Sequence, residues 1–226
     1  MMIGFELSYC LVHLLIGDEM GKYRTEQENF WAGDFGEEYI ERNQGEKLLA
    51  SNLALFSRAL ERTRNIESAI EFGANIGMNL IALQLLLPKA SLSAIEINPQ
   101  AAKQLEEILP KNNVITTSIL DFSPHKAWDL VLIKGVLIHI NPAELPVVYK
   151  SLIESSSRYV LVAEYYNPEP VSVPYRGHSD RLFKRDFAGE ILDAYPEMKL
   201  IDYGFAYHRD PVFPQGDITW FLMEKV

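Results

Sequence analysis

The chain has 226 residues, 48% hydrophobic and 23% charged, enough apolar material for the core of one domain. A formal charge of −10 argues against a general nucleic-acid binder, which needs a basic face to displace counterions. The single cysteine, Cys10, excludes an internal disulfide and a cysteine-built metal site, and it fits a reducing cytoplasm.

Residues 1–24 read as an N-terminal extension. Its apolar run Tyr9–Ile16 falls short of the roughly twenty residues a spanning helix needs, and no basic region precedes it, so no membrane association is expected. Met20 is an alternative start, because patterned sequence begins just after it. Residues 25–226 read as a single domain. Apolar residues at Leu49, Leu53, Phe56 and Leu60 have helical spacing. Ser68–Phe72 is a strand ended by Gly73, and Ile76–Leu87 a helix stopped by Pro88. Leu92–Ile97 is a second strand, followed by Asn98 as helix cap and Pro99 in the first helical position. Val114–Thr116 and Asp129–Lys134 are further strands, the latter apolar on both faces as befits a central parallel strand. Pro142–Ser155 is a helix, Tyr159–Glu164 a fifth strand, and Lys199–Tyr207 with Ile218–Lys225 an antiparallel hairpin. The alternation predicts a doubly wound, mostly parallel, seven-stranded α/β sheet of Rossmann-like type, closed by that hairpin.

Functional groups in such folds gather at the carboxyl ends of the strands. Glu71 stands near the end of the first strand and Gly73, Asn75 and Gly77 follow it, Glu96 ends the second, and Ser118, Ile119 and Asp121 follow the third. Glu71 is placed to favour a cationic ligand end, Glu96 to accept from a ribose diol, and Asp121 to accept from an adenine amino group. Lys134, ending the fourth strand, joins this cofactor set. The spacing is G-x-x-x-G, with Asn75 where a dinucleotide loop has its middle glycine. S-Adenosylmethionine carries no phosphate and needs no such cradle, so it is the expected cofactor. The rivals are a nicotinamide-dependent oxidoreductase, which the missing glycine disfavours, and a non-catalytic module on a cofactor fold.

Beyond these positions the chain resembles the pseudaminic acid biosynthesis-associated methylases. The resemblance runs from about Thr25 to Lys225 and is carried by FWAGDFGEEYIERN (Phe30–Asn43), EFGANIGMNL (Glu71–Leu80), AIEINPQAA (Ala94–Ala102), KGVLIHINP (Lys134–Pro142), EYYNPEPVSVPYRGHSDRLFKRDFAG (Glu164–Gly189), YGFAYHRD (Tyr203–Asp210) and DITWFLMEK (Asp217–Lys225). It implies a class I methyltransferase fold, a methyl donor and a setting in bacterial surface-glycan synthesis.

The stretch Tyr165–Lys184, with Pro168, Pro170 and Pro174, reads as an irregular acceptor loop. Arg176, Arg181, Lys184 and Arg185 form a basic cluster in an acidic chain, suited to grip a small anionic, sugar-like acceptor. Phe30–Asn43 is a second wall, from which Tyr39 is assigned to the acceptor while Trp31 and Phe35 fit core packing better. Methyl transfer from a sulfonium needs no metal, and a hydroxyl acceptor needs a base. His139, after the fourth strand, is the first candidate, with Tyr175 and His178 weaker ones.

Overall fold

The computed structural model describes residues 23–226; Cys10, the Tyr9–Ile16 run and Met20 lie outside the described residues. The strands are β1 (Ser68–Phe72), β2 (Ser91–Glu96), β3 (Val114–Thr116), β4 (Trp128–Lys134), β5 (Ser156–Glu164), β6 (Val171–Ser172), β7 (Phe183–Lys184), β8 (Met198–Ala206) and β9 (Ile218–Lys225). The α-helices are α1 (Glu26–Ala32), α2 (Asp34–Arg42), α3 (Glu46–Ala59), α4 (Met78–Leu86), α5 (Pro99–Ile108), α6 (Leu145–Ser155) and α7 (Phe187–Ala194).

Seven strands form one sheet in the order β3-β2-β1-β4-β5-β9-β8. The first five are parallel; β9 runs antiparallel between β5 and β8. This is the doubly wound sheet and closing hairpin that the alternation of elements predicts. Period-two alternation in β4 assigns each face its own core. Leu130 and Leu132 pack with Phe56 of α3 and Leu80 and Leu83 of α4; Val131 and Ile133 pack with Leu152 of α6 and Ile191 of α7. All nine of these side chains are essentially inaccessible, so the sheet is covered on both faces.

The order of strands reverses between β1 and β4, which are neighbours although β2 and β3 separate them in sequence. The loops after these two strands therefore diverge to opposite faces and leave a crevice above their carboxyl ends.

Three predicted features shift. The helix expected over Pro142–Ser155 is a 3₁₀ turn, Pro142–Glu144, followed by α6. The stretch Tyr165–Lys184 is not wholly irregular, because β6 and β7 pair antiparallel within it, Val171 opposite Lys184 and Ser172 opposite Phe183. The helices α1, α2 and α7 escaped the periodicity reading; α1 opens with a capping box in which Thr25 and Glu28 exchange side-chain and backbone hydrogen bonds. No helix among the described residues is long and apolar enough to cross a membrane.

Candidate active site

The cleft lies over the β1/β4 crevice and encloses about 1180 Å³ including its open mouth. The β1–α4 turn (Gly73–Asn79, Gly77 excepted) forms its floor, Glu96–Asn98 and Ser118–Leu120 one wall, and Lys134–Val136 with His139–Asn141 the other. Thr25, Gln27, Glu28 and Trp31 of the α1 region and Gly36, Tyr39 and Asn43 around α2 cover it.

The floor depends on backbone conformations that few residues adopt. Gly73 has φ 73°, and a Cβ there would stand 2.7 Å from Val136 Cγ2. Gly77 has φ 83°, and its Cβ would overlap Ile108 Cδ1 and sit 2.8 Å from Leu105 Cδ2. The second glycine thus answers both to its left-handed backbone and to α5, whose side chains crowd the start of α4. Asn75 takes φ 48°, the left-handed region where asparagine is the best-tolerated non-glycine.

Glu96 ties this turn to the second strand. Its Oε2 accepts from the Asn75 backbone N–H at 2.7 Å and its Oε1 from that of Asn98 at 2.8 Å. Burial raises its pKa, against which the backbone N–H donors act. Each oxygen keeps a further lone pair for a ligand. Glu71 is fully buried behind Asn79, whose Nδ2 donates to its Oε1 at 2.6 Å, while Oε2 has no partner. Burial pushes Glu71 up to about 8, with Asn79 and Lys134 opposing. Sequence reasoning thus put Glu71 one step too close to the ligand, since Asn79 is the group that lines the cleft.

Lys134 stands between two buried carboxylates, Glu71 of β1 and Glu164 of β5. Burial lowers its pKa while both carboxylates raise it. Glu164 Oε1 accepts from the Val136 and Leu137 backbone N–H groups at 2.9 and 3.0 Å, and burial raises it to about 7. Glu164 was missed from sequence, although it ends its strand as Glu96 does, and Glu71 stands one residue before the end of β1. Lys134 is the one lysine or arginine lining the described cleft, set against Glu28 and Glu96 in the lining and Glu71 and Glu164 behind it.

Ile119 lines the cleft as expected, with Ser118 and Leu120. Asp121 does not. It is exposed and ion-paired with Arg24. The wall turns there: Ser118 accepts the Asp121 backbone N–H and gives its hydroxyl to Glu28, so the next side chain faces solvent.

His139 lines the cleft with 7% of its surface exposed. Its Nδ1 lies 2.6 Å from the Arg181 carbonyl oxygen. A carbonyl only accepts, so Nδ1 carries the proton and Nε2 keeps a lone pair. Burial lowers the His139 pKa to about 4, the Arg181 hydrogen bond opposing, and the ring is neutral near neutral pH. Trp31 and Tyr175 stand 4.6 and 5.2 Å from His139 centroid to centroid, and Tyr39 meets Trp31 edge-on at 5.0 Å. Burial raises Tyr39 to about 12, followed by the neighbouring Tyr175 and Tyr165 hydroxyls. Trp31 lines the cleft rather than the core, and its Nε1 is buried without a partner, as is Gln27 Oε1. Phe35 stacks on Phe30 at 4.0 Å.

The basic cluster divides. Arg181 pairs with Glu26 at 3.0 Å and Asp180 at 2.6 Å, and Arg185 with Glu190 at 2.6 Å. These two cations are neutralised internally and do not form the expected grip. Lys184 Nζ lies 5.2 Å from the Tyr165 ring centre and the Arg176 guanidinium 5.8 Å from that of Tyr175. His178 is exposed, edge-on to Phe30 at 5.3 Å, and neither it nor Tyr175 lines the cleft.

Three solved structures share this arrangement of elements. Magnesium protoporphyrin IX methyltransferase from Synechocystis PCC 6803, with bound S-adenosylmethionine, superposes with a TM-score of 0.63 at 12% identity, covering 91% of this chain and 100% of that one. The fold is the Rossmann-like methyltransferase fold. The plantazolicin methyltransferase BpumL, in complex with a pentazolic desmethylPZN analogue and S-adenosylhomocysteine, gives 0.59 at 16% identity over 88% of this chain and 94% of its own. The glycopeptide N-methyltransferase MtfA, complexed with S-adenosylmethionine, gives 0.56 at 14% over 77% and 86%. No protein-family model matches the sequence, and no curated protein does.

Proposed function

We propose that the protein is an S-adenosylmethionine-dependent methyltransferase. The observation that carries this reading is the electrostatic character of the cleft on this fold. Two buried carboxyl groups, Glu71 and Glu164, flank the lysine, Glu28 and Glu96 line the cleft with it, and no arginine lines it among the described residues. A ligand bearing a sulfonium and an ammonium draws these groups toward their charged forms, whereas the pyrophosphate of a nicotinamide dinucleotide would find Lys134 as its one cation among the described lining residues. The polar groups fit the cofactor. Glu96 has acceptor capacity for a ribose diol, Ile119 and Leu120 offer an apolar slot, and Asn79 and Lys134 face the amino-acid end. The unpartnered Trp31 Nε1 and Gln27 Oε1 supply a donor and an acceptor under the cover.

When bound, the cofactor supplies an activated methyl group. The chain's own part is alignment, exclusion of water and removal of a proton. His139 is the base in this reading. Its Nδ1–H is fixed on the Arg181 carbonyl, and its neutral Nε2 accepts the proton of an acceptor hydroxyl. The aromatic cover of Trp31 and Tyr39 closes the cleft around it.

The acceptor we infer is a small, anionic, sugar-like molecule, as the resemblance to the pseudaminic acid-associated methylases implies. Arg176 and Lys184 are the cations of the hairpin that make no ion pair within 4.0 Å among the described residues, and they are its proposed anchors. Transfer of labelled methyl groups to a panel of acidic and neutral sugars and sugar nucleotides tests this. Labelling confined to acidic acceptors, reduced at least about tenfold by His139→Asn, is the expected result. Labelling of neutral acceptors alone contradicts the acceptor assignment.

A further inference from the structure

The dipeptide Asp180–Arg181 is where the cover of the cleft and its histidine meet. From the cover, Gln27 Nε2 donates to the Asp180 carbonyl at 3.1 Å, Glu26 pairs with the Arg181 guanidinium at 3.0 Å, and the Phe30 ring lies 5.7 Å from that guanidinium. All three residues belong to α1. From the wall after β4, His139 Nδ1 donates to the Arg181 carbonyl at 2.6 Å. The Arg181 side chain is 12% exposed and its Nε is buried without a partner, so it is held here by α1 and by its neighbour Asp180 and has a donor to spare.

We propose that Arg181 is a positioning residue that makes the proton-accepting form of His139 depend on closure of α1 over the cleft. The reading rests on His139 as the base of the proposed methyl transfer. A free neutral imidazole populates both tautomers, and only an acceptor held at Nδ1 keeps Nε2 unprotonated. With α1 in place, the ion pair with Glu26, the Gln27 hydrogen bond and the Phe30 ring hold the 180–181 backbone where its carbonyl meets Nδ1. With α1 withdrawn, these anchors go together, and the carbonyl is steadied only by the hairpin itself, where Leu182 is buried and its own carbonyl accepts from the Val173 N–H at 2.9 Å. The base is then ready only when the acceptor is shielded from water, which suits a reaction whose donor is already activated.

The test reads the tautomer directly and needs no acceptor. Nitrogen-15 spectra of His139 are recorded on the full chain near neutral pH, for the parent, Glu26→Gln and Arg181→Ala. Glu26 lies outside the cleft lining, and its substitution removes only the charge of one anchor, so a folded variant is available even where Arg181→Ala unfolds. The parent is expected to show less than about a tenth of the Nε2–H form, and the variants about a third or more, with S-adenosylhomocysteine affinity of Glu26→Gln within about threefold of the parent. The parent's tautomer persisting in both variants overturns the coupling. Failure of the methyltransferase reading shows differently, as no binding of S-adenosylhomocysteine by a parent whose tautomer still follows α1.

Discussion

The backbone N–H of Asn75 and the carboxylate of Glu96 are joined at 2.7 Å, locking the turn after β1 onto the end of β2. The same carboxylate holds the first turn of α5 through Asn98. One side chain therefore shapes the cleft floor and offers its remaining lone pairs to a ligand. Glu96→Gln keeps one acceptor oxygen and is expected to lose about tenfold in cofactor affinity, Glu96→Ala about a hundredfold or more, each charge-assisted bond contributing ~1.5–3 kcal/mol. Isothermal calorimetry reads the difference. Equal affinities for both variants would sink the role assigned to this carboxylate.

The turn also limits what Gly77 can become. Gly77→Ala adds a Cβ against Ile108 and Leu105 at a φ of 83°. The expected cost is ~2–4 kcal/mol, seen as a fall of about 5–15 °C in melting temperature. Asn75→Gly at φ 48° removes strain instead and leaves the melting temperature unchanged or higher. A Gly77→Ala protein that melts with the parent would mean that α5 packs elsewhere.

The buried carboxylates set an alkaline limit. Glu71 and Glu164 have native pKa values raised to about 8 and about 7 from 4.5. Their neutral forms favour the fold, so this stability is complete below the unfolded value and is lost as pH rises through the native ones. His139 acts at the other end. With its value lowered to about 4 from 6.5, its stability is complete above 6.5 and lost as pH falls toward 4. Glu164→Gln retains the oxygen that accepts from Val136 and Leu137 but cannot ionise. It should raise stability above about pH 7 by ~1 kcal/mol or more and leave it nearly unchanged near pH 5. Urea unfolding across this range checks it, and parallel curves for parent and variant would contradict it.

The hairpin cations separate by the same logic. Arg185 holds Glu190, which also accepts from the Tyr149 hydroxyl at 2.6 Å. Arg185→Ala should cost ~1 kcal/mol of stability. Arg176 is exposed and makes no ion pair within 4.0 Å among the described residues, so Arg176→Ala should leave the melting temperature alone and reduce turnover of an acidic acceptor several-fold. Melting curves and methyl-transfer rates on the two proteins decide this; equal effects on both quantities would make the hairpin a structural element only.

The fold was legible because its signals are local. Apolar runs at β4 and β5, Gly73 after β1, Asn98-Pro99 before α5 and Pro88 after α4 each act within a few residues. Within the site, Glu96, Ile119, Lys134, His139 and Tyr39 do line one cleft, and sequence order at strand ends is enough to bring the first four there. Asp121, Arg181 and Arg185 failed for a shared reason. Their charges are taken up by Arg24, Glu26 and Glu190, up to 155 residues away in the chain, and no local pattern shows which acid an arginine will meet. The helix α1 was detectable in principle from Thr25-x-x-Glu28, but its apolar face is too short to reveal a period.

In the proposed function the cleft over β1 and β4 takes the sulfonium cofactor. Calorimetric titration of the purified protein with S-adenosylhomocysteine, and separately with NADH, tests it most directly. Saturable one-to-one binding of S-adenosylhomocysteine, lost in Glu96→Ala, and none of NADH is the expected result. A folded parent that binds NADH and not S-adenosylhomocysteine would contradict it.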